Sequence, residues 1–527
     1  MSTRVYIILT GFTFMVAGLS VSWHWVAWTF VILVPVWIVT LTDSIQQEHS
    51  LRRNYPLIGR GRWLMEILRP FVRQYFIESD LDGAPVNRMF RSIVYQRAKG
   101  DIDTTPYGTR IDTYQDGYEW LGHSLAAVNV EESDSYSRVM VGGPACRKPY
   151  SASILNISAL SYGALSSAAI TALNRGAKAG GFYQNTGEGG LSSYHLEPGG
   201  DLVWQIGTGY FGCRTADGRF DEALFSDKSQ LPNVKMIELK LSQGAKPGHG
   251  GILPGRKNTP EIAAIRHVSA GIDVISPSMH PEFSTPIELM EFVGKLRQAS
   301  GYKPVGFKLC IGRRSEFIGV CKAMMATGIQ PDFITVDGGE GGTGAAPLEY
   351  SNSIGMPLRE GLAFVDDCLR GFGLREQITV IAAGKIFTGF HMAKNLALGA
   401  DICNSGRGMM LALGCVQSLV CHTNRCPTGV ATQDPRLVKG LAIEDKYQRV
   451  QRFHSETVRA FSDLMSSTGI RSIAELNRTQ IFRRTSQHEI LRYDQIFPMI
   501  ESGAFLSAPY PAQYAELIEL SSAESFL

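Results

Sequence analysis

Apolar positions fall into three successive patterns along the chain. The first is continuous: from Val5 to Leu41 there is no Asp, Glu, Lys or Arg, and His24 is the one titratable side chain of note. A membrane-spanning helix takes about 20 apolar residues. The run therefore predicts two short spans turning at Ser22-Trp23-His24-Trp25, with tryptophans at the interface where amphipathic rings settle; one long span is the alternative. A secretory signal is disfavoured, because its apolar core is only about 7–15 residues long. Arg4 before the run and Arg52, Arg53, Arg60 and Arg62 after it place both flanks on the cytoplasmic side. The second pattern is helical. Trp63, Leu64, Ile67, Leu68, Phe71, Val72 and Tyr75 recur on one face of Arg62–Tyr75. That helix either packs on the main domain, the preferred reading, or lies on the membrane with Arg60, Arg62, Arg69 and Arg73 near lipid phosphates.

The third pattern begins near residue 150, where short apolar runs end in Gly, Ser, Asn or Asp and amphipathic stretches follow. The runs are Leu155–Leu160, Phe182–Thr186, Lys235–Leu241, Asp273–Ser276, Pro304–Leu309, Phe333–Asp337, Thr379–Ala383 and Asp401–Asn404. Between most of them lie helical patterns such as Ser166–Ala179, Pro286–Gln298, Glu316–Thr327 and Thr388–Leu398. Strands alternating with helices predict parallel βαβ units, and eight repeats predict a (β/α)8 TIM barrel of the α/β class. The expected organisation is a transmembrane segment over 1–42 and an extension over 43–145 that packs on barrel or membrane. A barrel with a cysteine loop over 146–435 and a helical extension over 436–527 complete it.

Composition narrows the function. A net charge of +2 on 100 charged side chains lacks the concentrated basic face a nucleic-acid partner requires. Nine cysteines in 527 residues do not form a disulfide framework; their local clustering favours metal or redox use in a reducing compartment.

In such a barrel the chemistry lies on loops that follow the strands, and the unusual residues are there. They are Ser161-Tyr162-Gly163-Ala164-Leu165-Ser166, Asn185-Thr186-Gly187-Glu188-Gly189-Gly190, Lys240 through Gly251, Lys308, Asp337 through Ala345, Gly384-Lys385 and Gly406-Arg407-Gly408. Backbone amides after the last two strands form the usual phosphate site of these barrels, and with Lys385 and Arg407 as charge they suit the monophosphate of FMN. Immediately beyond, Cys415, Cys421 and Cys426 fall within twelve residues and end in Cys-Pro, a habit of iron–sulfur ligation. On spacing alone, three cysteines packed as small hydrophobes is the other reading.

The stretches Leu160–Ser167, Asn185–Gly190, Ile237–Gly255, Thr259–Ile262 with Arg266-His267, Gly341–Ala345 and Cys415–Asp434 together resemble the FMN-binding synthase domain of glutamate synthases. With its apolar N-terminus the chain is similar to membrane-anchored, stand-alone members of that family. The resemblance implies an FMN enzyme that reduces 2-iminoglutarate, formed from 2-oxoglutarate and ammonia, to L-glutamate. It implies a [3Fe–4S] cluster on Cys415, Cys421 and Cys426, Glu188 and Lys240 as catalytic residues, and Arg266, Lys240 and Ser161 as substrate contacts. Ser161, Gly163, Asn185, Gln243, Lys246, Lys308, Asp337, Gly338, Gly339, Gly342, Thr343, Gly344, Gly384, Lys385, Gly406 and Arg407 are the implied flavin surroundings. Glu188, desolvated beside the flavin, is expected to have a raised pKa and to donate a proton.

Two residues depart from the family: Ile252 replaces a glutamine that helps hold substrate, and His249 stands where an acidic residue is common. Both bear on whether 2-oxoglutarate is the substrate, and Ile252 together with the membrane anchor favours the alternative of a membrane quinone-linked flavin oxidoreductase acting on another amino or imino acid. No amidotransferase segment or separate NAD(P)H domain is visible. Ammonia is then free or partner-delivered, and electrons come from a ferredoxin, a reductase or quinol. The expected location is the cytoplasmic membrane, catalytic domain facing the cytoplasm.

Overall fold

Residues 2–129 and 137–526 are described by the computed structural model; 130–136, within the predicted extension, lie outside the described residues. The chain divides into two units, Met1–Arg88 and Met89–Leu527, so the break falls inside the stretch read as one extension.

In the first unit, helices α1 (Ser2–Ser22) and α2 (Phe30–Ile45) are joined by a 3-10 turn over His24–Thr29. The stretches Thr3–Ser22 and His24–Ile45 are each long and apolar enough to cross a membrane. Val16, Val26 and Leu33 form their small shared core, and polar clips fix the pairing. Trp37 Nε1 donates to Thr13 Oγ1 at 2.9 Å and Tyr6 Oη to Ser44 Oγ at 2.6 Å. Helix α3 (Arg60–Val72) runs on into a π turn over Arg73–Ile77. The expected apolar stripe is present, but it is not packed: Ile67 is 66% exposed and Phe71 58%. No element of the first unit among the described residues covers the face, and both expected readings, packing on the main domain or lying on a membrane, concern what meets it from outside that unit.

The second unit is built on a closed parallel barrel. Its strands are β1 (Leu155–Ile157), β2 (Gln184–Asn185), β3 (Leu202–Ile206), β4 (Val234–Lys240), β5 (Val305–Leu309), β6 (Phe333–Asp337), β7 (Thr379–Ala383) and β8 (Ile402–Ser405). Closure is made where Cys403 of β8 pairs with Leu155 of β1. The barrel and its eight strands are as expected, with one exchange. Asp273–Ser276 is not a barrel strand; Val274–Ile275 pairs antiparallel with Ile252–Leu253 in a separate ribbon. The strand passed over is β3, all five residues of which are buried. Its Gln205 interrupts the apolar run because the amide faces inward, donating to Glu238 Oε1 at 2.6 Å.

A hairpin of Arg138–Val141 and Tyr150–Ser153 closes the foot of the barrel. Its Val141 and Ala152 pack with Tyr183, Val203, Met236, Phe333, Ile381 and Ile402 at or near the strands' N-terminal ends. The C-terminal extension is only partly helical. Helix α4 (Ser167–Gly180) takes helix α5 (Ile443–Thr468) so closely that a Cβ at Gly176 would lie 2.8 Å from Val450. Beyond α5, Ile481–Arg484 and Ile490–Arg492 form a three-stranded antiparallel sheet with Glu119–Leu121. Arg478 locks this segment onto the barrel unit, donating to Asp366 at 3.0 Å and Asp367 at 2.8 Å, with all three carboxylate and guanidinium groups buried.

Candidate active site

Glu188 sits on the turn after β2, and glycines make room for it. Gly187 and Gly190 adopt left-handed φ of +64° and +85°, a region that favours glycine. A Cβ at Gly207 or Gly251 would lie 2.7 or 2.5 Å from a Glu188 carboxylate oxygen. Lys240, the last residue of β4, places Nζ 2.9 Å from Glu188 Oε1. Arg266 ends the short helix Pro260–Arg266. It is buried, donates Nη2 to Tyr162 O at 3.2 Å, and aims an Nε–H that has no partner. Lys246, also buried, donates to Ala345 O at 3.1 Å.

These groups set each other's charge. Burial pushes the Glu188 carboxyl up, but Lys240, Lys246 and Arg266 outweigh it and hold the group below its ordinary value. The expected raised pKa is corrected: three cations from later loops converge on this one acid. Burial lowers Lys246 to about 8 and Arg266 to about 10, each partly offset by Glu188. Lys308 and Asp337 pair with each other at 3.2 Å. Three cations thus surround one carboxylate, and two positive charges are left for a ligand.

The floor beneath the site is a polar layer inside the barrel. Glu238 accepts from Asn185 Nδ2 at 2.7 Å, Gln205 and Thr335, while Asn185 Oδ1 accepts the Gly187 amide at 3.0 Å. Asn185 therefore shapes the Glu188 turn from below. Gly163, at φ +100°, packs against Arg266, and a Cβ there would be 3.2 Å from Nη2. Ser161 abuts the Glu188 turn, since a Cβ at Gly187 would lie 2.8 Å from its amide nitrogen. His280, neutral because burial lowers it to about 4, fixes the end of β4 through its Nε2 bond to Lys240 O at 2.8 Å.

The loops expected around a flavin interlock. Gln243 accepts from Lys240 Nζ at 3.1 Å and donates to Gly342 O at 2.8 Å. Asp337 accepts the Gly244 amide at 3.0 Å, and Arg407 donates to Glu340 O at 2.5 Å. Gly338 and Gly339 admit no side chain, as a Cβ would meet Leu358 N at 2.6 Å or Gly355 O at 2.7 Å. Around Gly344 a Cβ would meet nothing, and at Gly406 only Ser158 at 3.5 Å, so backbone is open there. Lys385 takes φ +48° after Gly384. Burial lowers both Lys385 and Arg407, and Arg407 lowers Lys385 further. Neither forms an ion pair among the described residues. Two cations without an ion pair, compensated only in part by Glu340 and, for Arg407, Asp337, stand beside open glycine backbone and fit a phosphate monoester.

The cysteine loop carries three non-glycine residues at left-handed φ: Gln417, Leu419 and Asn424. Strain of this kind gathers at functional loops. Cys415 Sγ accepts the Gln417 amide at 3.4 Å. Burial pushes Cys415 up to about 11 and raises Cys421; Cys426 stays below the usual thiol value because Thr428 and the amides of residues 428, 430 and 431 offset its burial. Among the described residues no three His, Cys, Asp or Glu close on a single-ion site. A cluster bringing its own sulfides sets its thiolates further apart than one ion does. Sequence reading missed Lys257, which is buried and donates to the carbonyls of Ala164 (2.6 Å), Cys421 (3.3 Å) and Ala431 (3.2 Å). A buried ammonium and N–H···S donors fit an anionic thiolate cluster. The only sequence signal was Arg256-Lys257 in a stretch otherwise suited to a turn.

The conserved region in glutamate synthase matches residues 112–471. The glutamate synthase large subunit-like protein YerD of Bacillus subtilis is 38% identical over 510 residues, covering 88% of this chain and 96% of its own length. An archaeal glutamate synthase [NADPH] of Methanocaldococcus jannaschii is 36% identical, the match spanning 61% of this chain and 60% of that protein. Among solved structures, a mutant flavocytochrome b2 with pyruvate bound superposes with a TM-score of 0.41 at 14% identity, covering 80% of this chain and 84% of that one.

Proposed function

The chain belongs to the glutamate synthase family and is an oxidoreductase acting on amino donors, and from this premise we propose that it uses FMN and an iron–sulfur cluster to reduce 2-iminoglutarate to L-glutamate. The observation that carries the proposal is the charge of the site: Lys240, Lys246 and Arg266 around Glu188 leave two positive charges in a buried pocket, the complement of a dicarboxylate. Arg266, whose Nε–H has no partner while Nη2 donates to Tyr162 O, suits one carboxylate, and Lys246 suits the other.

Lys385, Arg407 and the glycine backbone near Gly344 and Gly406 would hold the phosphate of FMN, and Lys308, ion-paired with Asp337, would belong to the flavin's surroundings. When bound, FMN supplies hydride chemistry, and a cluster on Cys415, Cys421 and Cys426 supplies single electrons. Lys240 polarises the oxo or imino group and stabilises negative charge developing on it. Glu188, held ionised, is suited to grip ammonia and then the iminium N–H rather than to donate a proton. A protonated imine brings its own proton, and its carbon requires only hydride. The apolar helices α1 and α2 are proposed as a hairpin in the cytoplasmic membrane, with the catalytic unit on the cytoplasmic side and a ferredoxin, reductase or quinol as donor. Ile252 follows Gly251, which touches Glu188. An apolar residue so near the site favours, as a second reading, another amino or imino acid as substrate with quinone as acceptor.

Purified protein should show flavin absorbance and about three irons per chain. Its reduced form should be reoxidised by 2-oxoglutarate with ammonium but not by 2-oxoglutarate alone. Reoxidation by neither, with flavin present, would reject the substrate. The pH dependence follows from Lys246. In the free enzyme this lysine is charged below about 8, and the dianion binds the charged form. kcat/KM should therefore fall as pH rises through about 8, and Lys246→Met should remove that inflection while raising KM at neutral pH.

A further inference from the structure

We infer that α3 is a lipid-binding surface, lying in the headgroup layer of an anionic bilayer with its apolar face toward the acyl chains. The inference rests on the reading of α1 and α2 as membrane spans and adds a second, peripheral contact to it. Leu64, Ile67, Leu68 and Phe71 stand at i, i+3, i+4 and i+7, and all are exposed. An apolar face this continuous is a liability in water unless something covers it. Arg62, Glu66, Arg69 and Arg73 occupy the opposite face at i, i+4, i+7 and i+11. Three of the four are cations, which is the charge an acidic headgroup layer attracts. Of these, Arg69 lies 3.8 Å from Glu66 and Arg73 3.5 Å from Glu78.

The chain also fixes where α3 starts. Asp43, near the end of α2 and 1% exposed, grips Arg60 with both oxygens, at 2.8 Å each from Nε and Nη2. Asp43 accepts the Leu57 amide at 3.1 Å as well. The first residue of α3 is thus bonded to the end of the second span, which puts the helix at the level of the membrane boundary. Trp63 is held there between the His49 ring, 5.0 Å away, and the Arg52 guanidinium, 4.4 Å above it. The turn after α3 continues the apolar display with exposed Tyr75, Phe76 and Ile77. Continuity with the spans, a basic opposite face and an aromatic at the boundary favour lipid over a second copy of the chain.

The test uses the full chain reconstituted in phosphatidylcholine–phosphatidylglycerol vesicles. Cysteines are placed singly by Val31→Cys in α2, Phe71→Cys on the apolar face and Arg69→Cys on the basic face. Each carries an environment-sensitive fluorophore, with the unsubstituted chain labelled in parallel as background. Acyl-chain spin labels should quench the labels at 31 and 71, both blue-shifted, and leave the label at 69 accessible to aqueous iodide. Quenching at 31 with the label at 71 open to iodide overturns the inference while the spans stand. A label at 71 shielded from both quenchers overturns it in favour of protein contact. Loss of lipid quenching at 31 as well overturns the spans and the inference together.

Discussion

Glu188→Gln should lower kcat by a factor on the order of 10²–10³, the usual worth of one preorganised electrostatic contact to developing or bound charge, while iron and flavin content stay unchanged. The amide keeps the shape that Gly207 and Gly251 accommodate, so the fold has no reason to change. What disappears is the carboxylate that faces Lys240, Lys246 and Arg266. The ground-state dianion loses nothing by this, and its KM should hold or fall. The cost concentrates on ammonia, which loses a charged hydrogen-bond acceptor, and on the iminium, which loses its counter-ion. The expected result is therefore a split: a collapse in kcat and a raised KM for ammonium, with KM for 2-oxoglutarate held or reduced. Equal losses in affinity for both substrates would mean that Glu188 merely shapes the pocket.

Arg478→Ala should destabilise the Met89–Leu527 unit by about 3–5 kcal/mol, the cost of removing one partner from a buried ion pair. The guanidinium is 1% exposed and reaches Asp366, Asp367 and the carbonyls of Ala363 and Phe497. Asp366 keeps Arg370 and Arg375, both at 2.9 Å. Among the described residues Asp367 keeps the Tyr514 hydroxyl, at 2.7 Å, and no cation, and burial already raises its pKa. The uncompensated charge therefore falls on Asp367. A melt should show a Tm several degrees lower, and the double variant Arg478→Met, Asp367→Asn should recover part of the loss. An unchanged Tm for Arg478→Ala would show that the C-terminal segment docks without this pair.

The barrel was legible because most of its strands are short runs rich in apolar and β-branched residues that lead into helical patterns, the texture of parallel βαβ units. Strand β3 was hidden by Gln205, whose polarity reflects the interior layer around Glu238 rather than a surface. Asp273–Ser276 has the same local texture as a strand and forms one, but in a ribbon, since pairing partners are not encoded locally. The C-terminal sheet was missed because Ile481–Arg484 carries two arginines that serve Glu119 and the carbonyl of Thr113. The residue types of the site were readable from glycine-flanked loops. Their charge states were not, as Lys240, Lys246 and Arg266 meet Glu188 only through the fold.

With Val141 and Ala152 plugging the barrel's foot, anything that reacts at Glu188 must enter and leave by the loop end. Electrons need no such doorway. Lys257 ties the carbonyl of Cys421 into the wall of that mouth, beside Ala164. In the proposed reaction a bulky reductant can therefore stay outside, discharging through the wall, while the amino acid occupies the interior. The two half-reactions need not queue at one entrance, and reduction can proceed before the previous product has departed.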